Sequence, residues 1–119
     1  MSAPITCSET TESAEVAAPT RDAVGLRFDP SRRMMLRFQI RIDDEDGLEA
    51  LRYARRAMIR EERTRGLEWD EPSMEDPTLT GTEIRWFTLA AQAAWCRQKM
   101  AELIDRANRA AAEIRASRP

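Results

Sequence analysis

Four consecutive carboxylates, Asp43-Asp44-Glu45-Asp46, precede Gly47 and form the densest set of metal-type ligands in the chain. A calcium loop needs oxygen ligands at set positions around its central glycine. With Gly47 in that place, Ile42 falls at the first ligand position and Tyr53 at the last. Neither carries a carboxylate, so the template fails. The chain has no histidine, which removes the commonest general base, the usual activator of Ser and Cys nucleophiles, and the imidazole metal ligands. Cys7 and Cys96 stand far apart and make neither a CxxC pair nor a disulfide framework. They read as free thiols in a reducing, cytoplasmic setting. No Gly-rich phosphate loop is present. The residues point to a non-enzymatic protein with no metal, no cofactor and no small-molecule substrate.

The acidic run has a simpler use. Asp43 or Asp44 is placed to cap a helix, and the acids after it favour the positive end of the helix dipole. That helix is expected from about residue 45 to 65, ending at Gly66, a natural residue just past a helix end. Leu48, Leu51, Ala54 and Met58 form its apolar stripe, while Arg52, Arg56, Arg60 and Arg63 line another face beside Glu49, Glu61 and Glu62. Such a face is either solvated or turned towards phosphates.

A longer helix is predicted over residues 81–116. Thr80 and Glu83 have capping-box spacing, Leu79 and Ile84 sit at the staple positions, and after Gly81 no Pro or Gly follows before Pro119. Trp86, Leu89, Ala93, Cys96, Met100, Leu103, Ala107, Ala110 and Ile114 recur at spacings of three and four, a coiled-coil-like seam. A rod of this length reaches roughly 50 Å. It exceeds the roughly 35 Å diameter expected of a compact chain this size. Residues 97–116 are therefore expected to pair with another helical protein, most simply a second copy in a homodimer. Glu102–Arg106 and Asp105–Arg109 are spaced as supporting ion pairs.

Residues 1–23 are rich in Ser, Thr, Glu, Ala and Pro, and read as a disordered tail. Order is expected from 24 to 116 as a single small domain. Val24, Leu26 and Phe28 alternate with small or polar residues, and Leu36, Phe38, Ile40 and Ile42 alternate with Arg37, Gln39 and Arg41. Together they read as a β-hairpin resting on the helices. Residues 66–83 hold six acids and no base, and 66–79 reads as an acidic loop. Leu67, Trp69 and Met74 either tack this loop down or form a docking segment for a partner. No stretch is long and apolar enough to span a membrane, and the N-terminus lacks the basic and apolar regions of a signal peptide. The fold class is α+β, mostly helical.

Two local motifs resemble the ribbon-helix-helix family of dimeric DNA-binding proteins. Leu36–Leu51, LRFQIRIDDEDGLEAL, is similar to that family's strand and the start of its first helix. Thr80–Arg85, TGTEIR, is similar to the start of its second helix. The resemblance implies base contacts from Arg37, Gln39 and Arg41 in a major groove, and a DNA phosphate held at the helix start near Thr80 and Thr82. It covers about a fifth of the chain. It leaves out the 20-residue helix and acidic loop lying between the two motifs. Two functions follow from the residues and the resemblance: a protein–protein interaction or accessory protein working through its long helix, or a dimeric DNA-binding regulator.

Overall fold

The computed structural model describes residues 4–10, 29–66, 72–74, 78–79 and 81–117. Their elements in chain order are β1 (Thr6–Glu9), β2 (Arg33–Arg41), α1 (Glu45–Thr64), β3 (Ser73–Met74), β4 (Thr82–Leu89), a 3-10 turn (Ala90–Gln92) and α2 (Ala93–Ala116). The strands form one antiparallel sheet in the order β1-β2-β4-β3. β2 and β3 both run antiparallel to β4, so they are parallel to each other with β4 between, a split β-α-β arrangement.

The α+β class, the two helices and the long final helix are as the sequence predicts. The start of that helix is not. Residues 82–89 form a strand because their apolar members alternate: Thr82, Ile84, Trp86 and Thr88 are buried, and the residues between them are half-buried or exposed. A period of two places them on opposite faces of a sheet. β-branched and aromatic side chains suit that pleated surface. Thr80 lies outside the described residues. Thr82 starts no helix; its hydroxyl accepts the Thr78 N–H at 3.1 Å and closes a turn. The helical run begins at Ala90 instead of residue 81. The Ala90 and Ala91 N–H groups there donate to the carbonyls of Arg32 and Pro30, which satisfies donors that a helix start leaves unpaired.

β2 has the predicted alternation, with Leu36, Phe38 and Ile40 buried. Its partners differ from expectation. It pairs with β1 on one edge and β4 on the other; the predicted partner, Val24–Phe28, lies outside the described residues. Part of the predicted tail is an edge strand instead. Ile5 is buried in the core, and the Asn108 side chain grips its backbone, accepting from the N–H at 2.8 Å and donating to the carbonyl at 3.0 Å. Arg97 donates to both carboxylate oxygens of Glu9, at 2.7 and 2.9 Å. These contacts hold β1 to α2 from a great distance in sequence.

Both helices pack on the same face of the sheet. One core joins Leu36, Phe38, Ile40, Ile84 and Trp86 of the strands to Leu51 and Met58 of α1, and to Cys96, Met100 and Leu103 of α2. Asp44 caps α1, accepting the Gly47 N–H at 2.8 Å, and also receives Arg115 from the far end of α2 at 2.9 and 3.0 Å. Gly66 has a φ of 73°, the left-handed turn that glycine adopts without steric cost.

Candidate functional site

Covering one face of an antiparallel sheet with helices leaves the other to meet solvent or a partner. Strand alternation decides what stands there. On β2 the series is Arg33, Met35, Arg37, Gln39 and Arg41, all half-buried or exposed. On β4 it is Glu83, Arg85, Phe87 and Leu89. Phe87 is 64% exposed and Leu89 38%, a large apolar area for the middle of a sheet.

The register brings these side chains together. Met35 lies opposite Phe87, Arg33 opposite Leu89, Arg37 opposite Arg85, and Gln39 opposite Glu83. Directly opposed residues have their Cβ atoms about 4.5–5.5 Å apart. Glu83 stands among these cations, with its carboxylate 2.9 Å from Arg37 Nε. Arg41 has Asp43 at 3.3 Å and remains largely exposed. Among the described residues, Arg33, Arg37, Arg41 and Arg85 outnumber Glu83 and Asp43, which gives the face an excess of positive charge in a chain whose net charge is −2.

The predicted helical seam is divided by the fold. Trp86 and Leu89 belong to β4 and point to opposite faces. Ala93, Cys96, Met100, Leu103 and Ala107 are buried against the sheet and α1, while Ala110 and Ile114 are half-buried. The seam's own chain occupies it, because β4 and α1 supply the apolar cover that the sequence reading assigned to a second helix. Of the predicted docking segment, Leu67 and Trp69 lie outside the described residues. Met74 is half-buried against the core, and the buried Pro72 beside it accepts from Arg55.

Arg37, Gln39 and Arg41 share the open face, as alternation predicts. Thr82 does not join them, being buried on the other side. Sequence reasoning missed Arg85, Phe87 and Leu89 as members of this face because it placed them on a helix. The alternation of Thr82, Ile84, Trp86 and Thr88 was the signal available for finding them. Compared with protein-family models, curated proteins and solved structures, the chain matches none.

Other features are already engaged by the fold. A groove of about 510 Å³ between β1 and α2 has Glu9, Arg97 and Asn108 on its rim, each occupied in holding β1 down. Cys7 stands in that groove with its thiol pushed up to about 11 by burial and by Glu9, so it is a neutral thiol at physiological pH. Cys96 is buried and its thiol donates to Thr88 Oγ1 at 3.5 Å. Both cysteines are free. Among the described residues no helix is long and apolar enough to cross a membrane.

Proposed function

We propose that this chain is a non-enzymatic interaction protein, and that its contact surface is the open face of the sheet. The partner is anionic. The grouping of Arg33, Arg37, Arg41 and Arg85 around an exposed Phe87 carries this reading, because guanidinium groups bind carboxylates and phosphates through charge-assisted hydrogen bonds. Met35, Phe87 and Leu89 add an apolar centre, and Met, Phe and Arg are enriched at interaction surfaces. The lack of histidine and the burial of Cys96 support a role without chemistry.

Charge also argues against a second copy as the occupant. Two such faces laid together would oppose four arginines with four. The long helix offers no substitute, since the inner part of its seam is spent within the chain.

The test uses a polyanion as a stand-in for the partner. At neutral pH and low salt the full chain is expected to be retained on immobilised heparin despite its acidic pI of about 5.3, and to elute as salt rises. Arg85→Glu and Arg37→Glu are each expected to elute at distinctly lower salt. Arg109→Glu, on the exposed side of α2, is expected to change elution little. Flow-through of the wild-type chain, or equal shifts in all three variants, would overturn the reading.

A further inference from the structure

Resting on that reading of the open face, we infer that the anionic partner is single-stranded nucleic acid, with bases stacked on Phe87 and phosphates held by the β2 arginines. Three features of the face carry this.

The cations are evenly repeated. Arg33, Arg37 and Arg41 occupy every fourth position of one strand, which at about 3.4 Å per residue sets them roughly 14 Å apart along one face. A regular row suits a regular polyanion better than the scattered acids of a protein surface.

The aromatic is placed beside this row, on the next strand. Phe87 stands opposite Met35, which lies between Arg33 and Arg37. An exposed ring on a sheet, flanked by guanidinium groups, offers a surface on which a base can stack, and every base has a face that can do so. Among the described residues both helices lie behind the sheet, on the side away from Phe87. Gln39 stands two positions beyond Arg37, where its amide can donate to and accept from a base edge.

The competing basic surface lacks this combination. Arg56, Arg60 and Arg63 flank a shallow groove on α1, and Tyr53 is 61% exposed nearby on the same helix. Two of the acids on α1 turn towards α2, Glu61 to Arg106 and Glu62 to Lys99, but a convex single helix gives bases no platform. A duplex fits the sheet poorly as well: four strands spaced about 4.8 Å apart, with their side chains, fill more than the roughly 12 Å width of a major groove.

The experiment measures binding of the full chain to fluorescein-labelled oligothymidylate and to an abasic oligomer of equal length, by anisotropy at low salt. Wild type is expected to bind oligothymidylate with an affinity that falls steeply with salt, and more tightly than the abasic strand. Phe87→Ala is expected to weaken oligothymidylate binding roughly 5- to 100-fold, as loss of a stacking platform does, and to leave abasic binding nearly unchanged. Phe87→Trp is expected to restore it. Arg37→Glu is expected to weaken both strands together. Equal binding of the two strands with no effect of Phe87→Ala would overturn stacking while leaving the anionic-face reading intact. Retention on heparin without binding to either strand would overturn the nucleic-acid inference and assign the face to an acidic protein. Failure with heparin and both strands would overturn both readings.

Discussion

Replacing Trp86 with alanine is expected to lower the free energy of unfolding by about 3–5 kcal/mol, the usual cost of removing a large buried aromatic side chain. Trp86 is 2% exposed and is among the largest fully buried side chains. It meets the edge of Trp95 at 6.0 Å between ring centres, at 69°, and joins the sheet to α2. Small domains have only about 5–15 kcal/mol in total, so this variant should begin to unfold at far lower urea. Phe87→Ala, one residue along, is expected to change stability by no more than about 0.5 kcal/mol, as exposed substitutions usually do. The contrast follows from the strand. Adjacent strand residues point to opposite faces, whereas adjacent helical residues lie only about 100° apart. Urea unfolding followed by circular dichroism measures both. Comparable losses from the two variants would contradict the placement of β4.

The second large effect concerns Lys99. Its ammonium lies 2.7 Å from Glu62 Oε1, with the two side chains 13% and 4% exposed, and 5.5 Å from the centre of the Trp95 ring. Glu102 adds a weaker contact at 3.4 Å. Lys99→Ala leaves the Glu62 carboxylate buried without this cation, and is expected to cost about 3 kcal/mol. Replacing both residues by apolar ones of similar volume, Glu62→Leu with Lys99→Met, removes the buried charge as well as the pair. That double variant is expected to be markedly more stable than Lys99→Ala. The hydrogen bond to Glu62 holds the Lys99 pKa above its ordinary 10.5, against the opposing effect of desolvation. A raised folded-state pKa means that the proton is held more tightly in the folded chain. Its contribution to stability is fully present below the ordinary value, and fades as pH rises through the folded-state value. Urea midpoints measured from pH 8 upwards should therefore fall at the alkaline end for wild type, and fall less for the double variant. A double variant no better than Lys99→Ala would show that the pair does not act as described.

Much of the fold is legible locally, and what escapes is set by distant partners. The alternation of β2 and the cap–stripe–glycine order of α1 each lie within one stretch of chain. Gly66 and the Asp44 cap sit where side-chain chemistry places them. β4 is harder because two periods compete over the same residues. Trp86 and Leu89 continue the three-and-four spacing of α2, while Thr82, Ile84, Trp86 and Thr88 alternate. Pairing with β2, whose Arg33–Ile40 lie opposite Leu89–Thr82, decides for the strand. That pairing is invisible in the local sequence. β1 escapes for the same reason: four residues make a weak local signal, and the Asn108 and Arg97 side chains that hold it are 103 and 88 residues distant from their partners. The open face of the sheet is half visible in the sequence. Arg37, Gln39 and Arg41 follow from β2 alone, but the aromatic and the opposed Arg85 come from β4.

Backbone amide chemical shifts of the full chain, followed during titration with heparin-derived oligosaccharide at low salt, report where an anion sits. The account predicts that the largest changes cluster on β2 and β4 around Arg37, Arg85 and Phe87, and disappear in Arg85→Glu. Changes confined to α1 around Arg56, Arg60 and Arg63, or spread evenly over the surface, would contradict it.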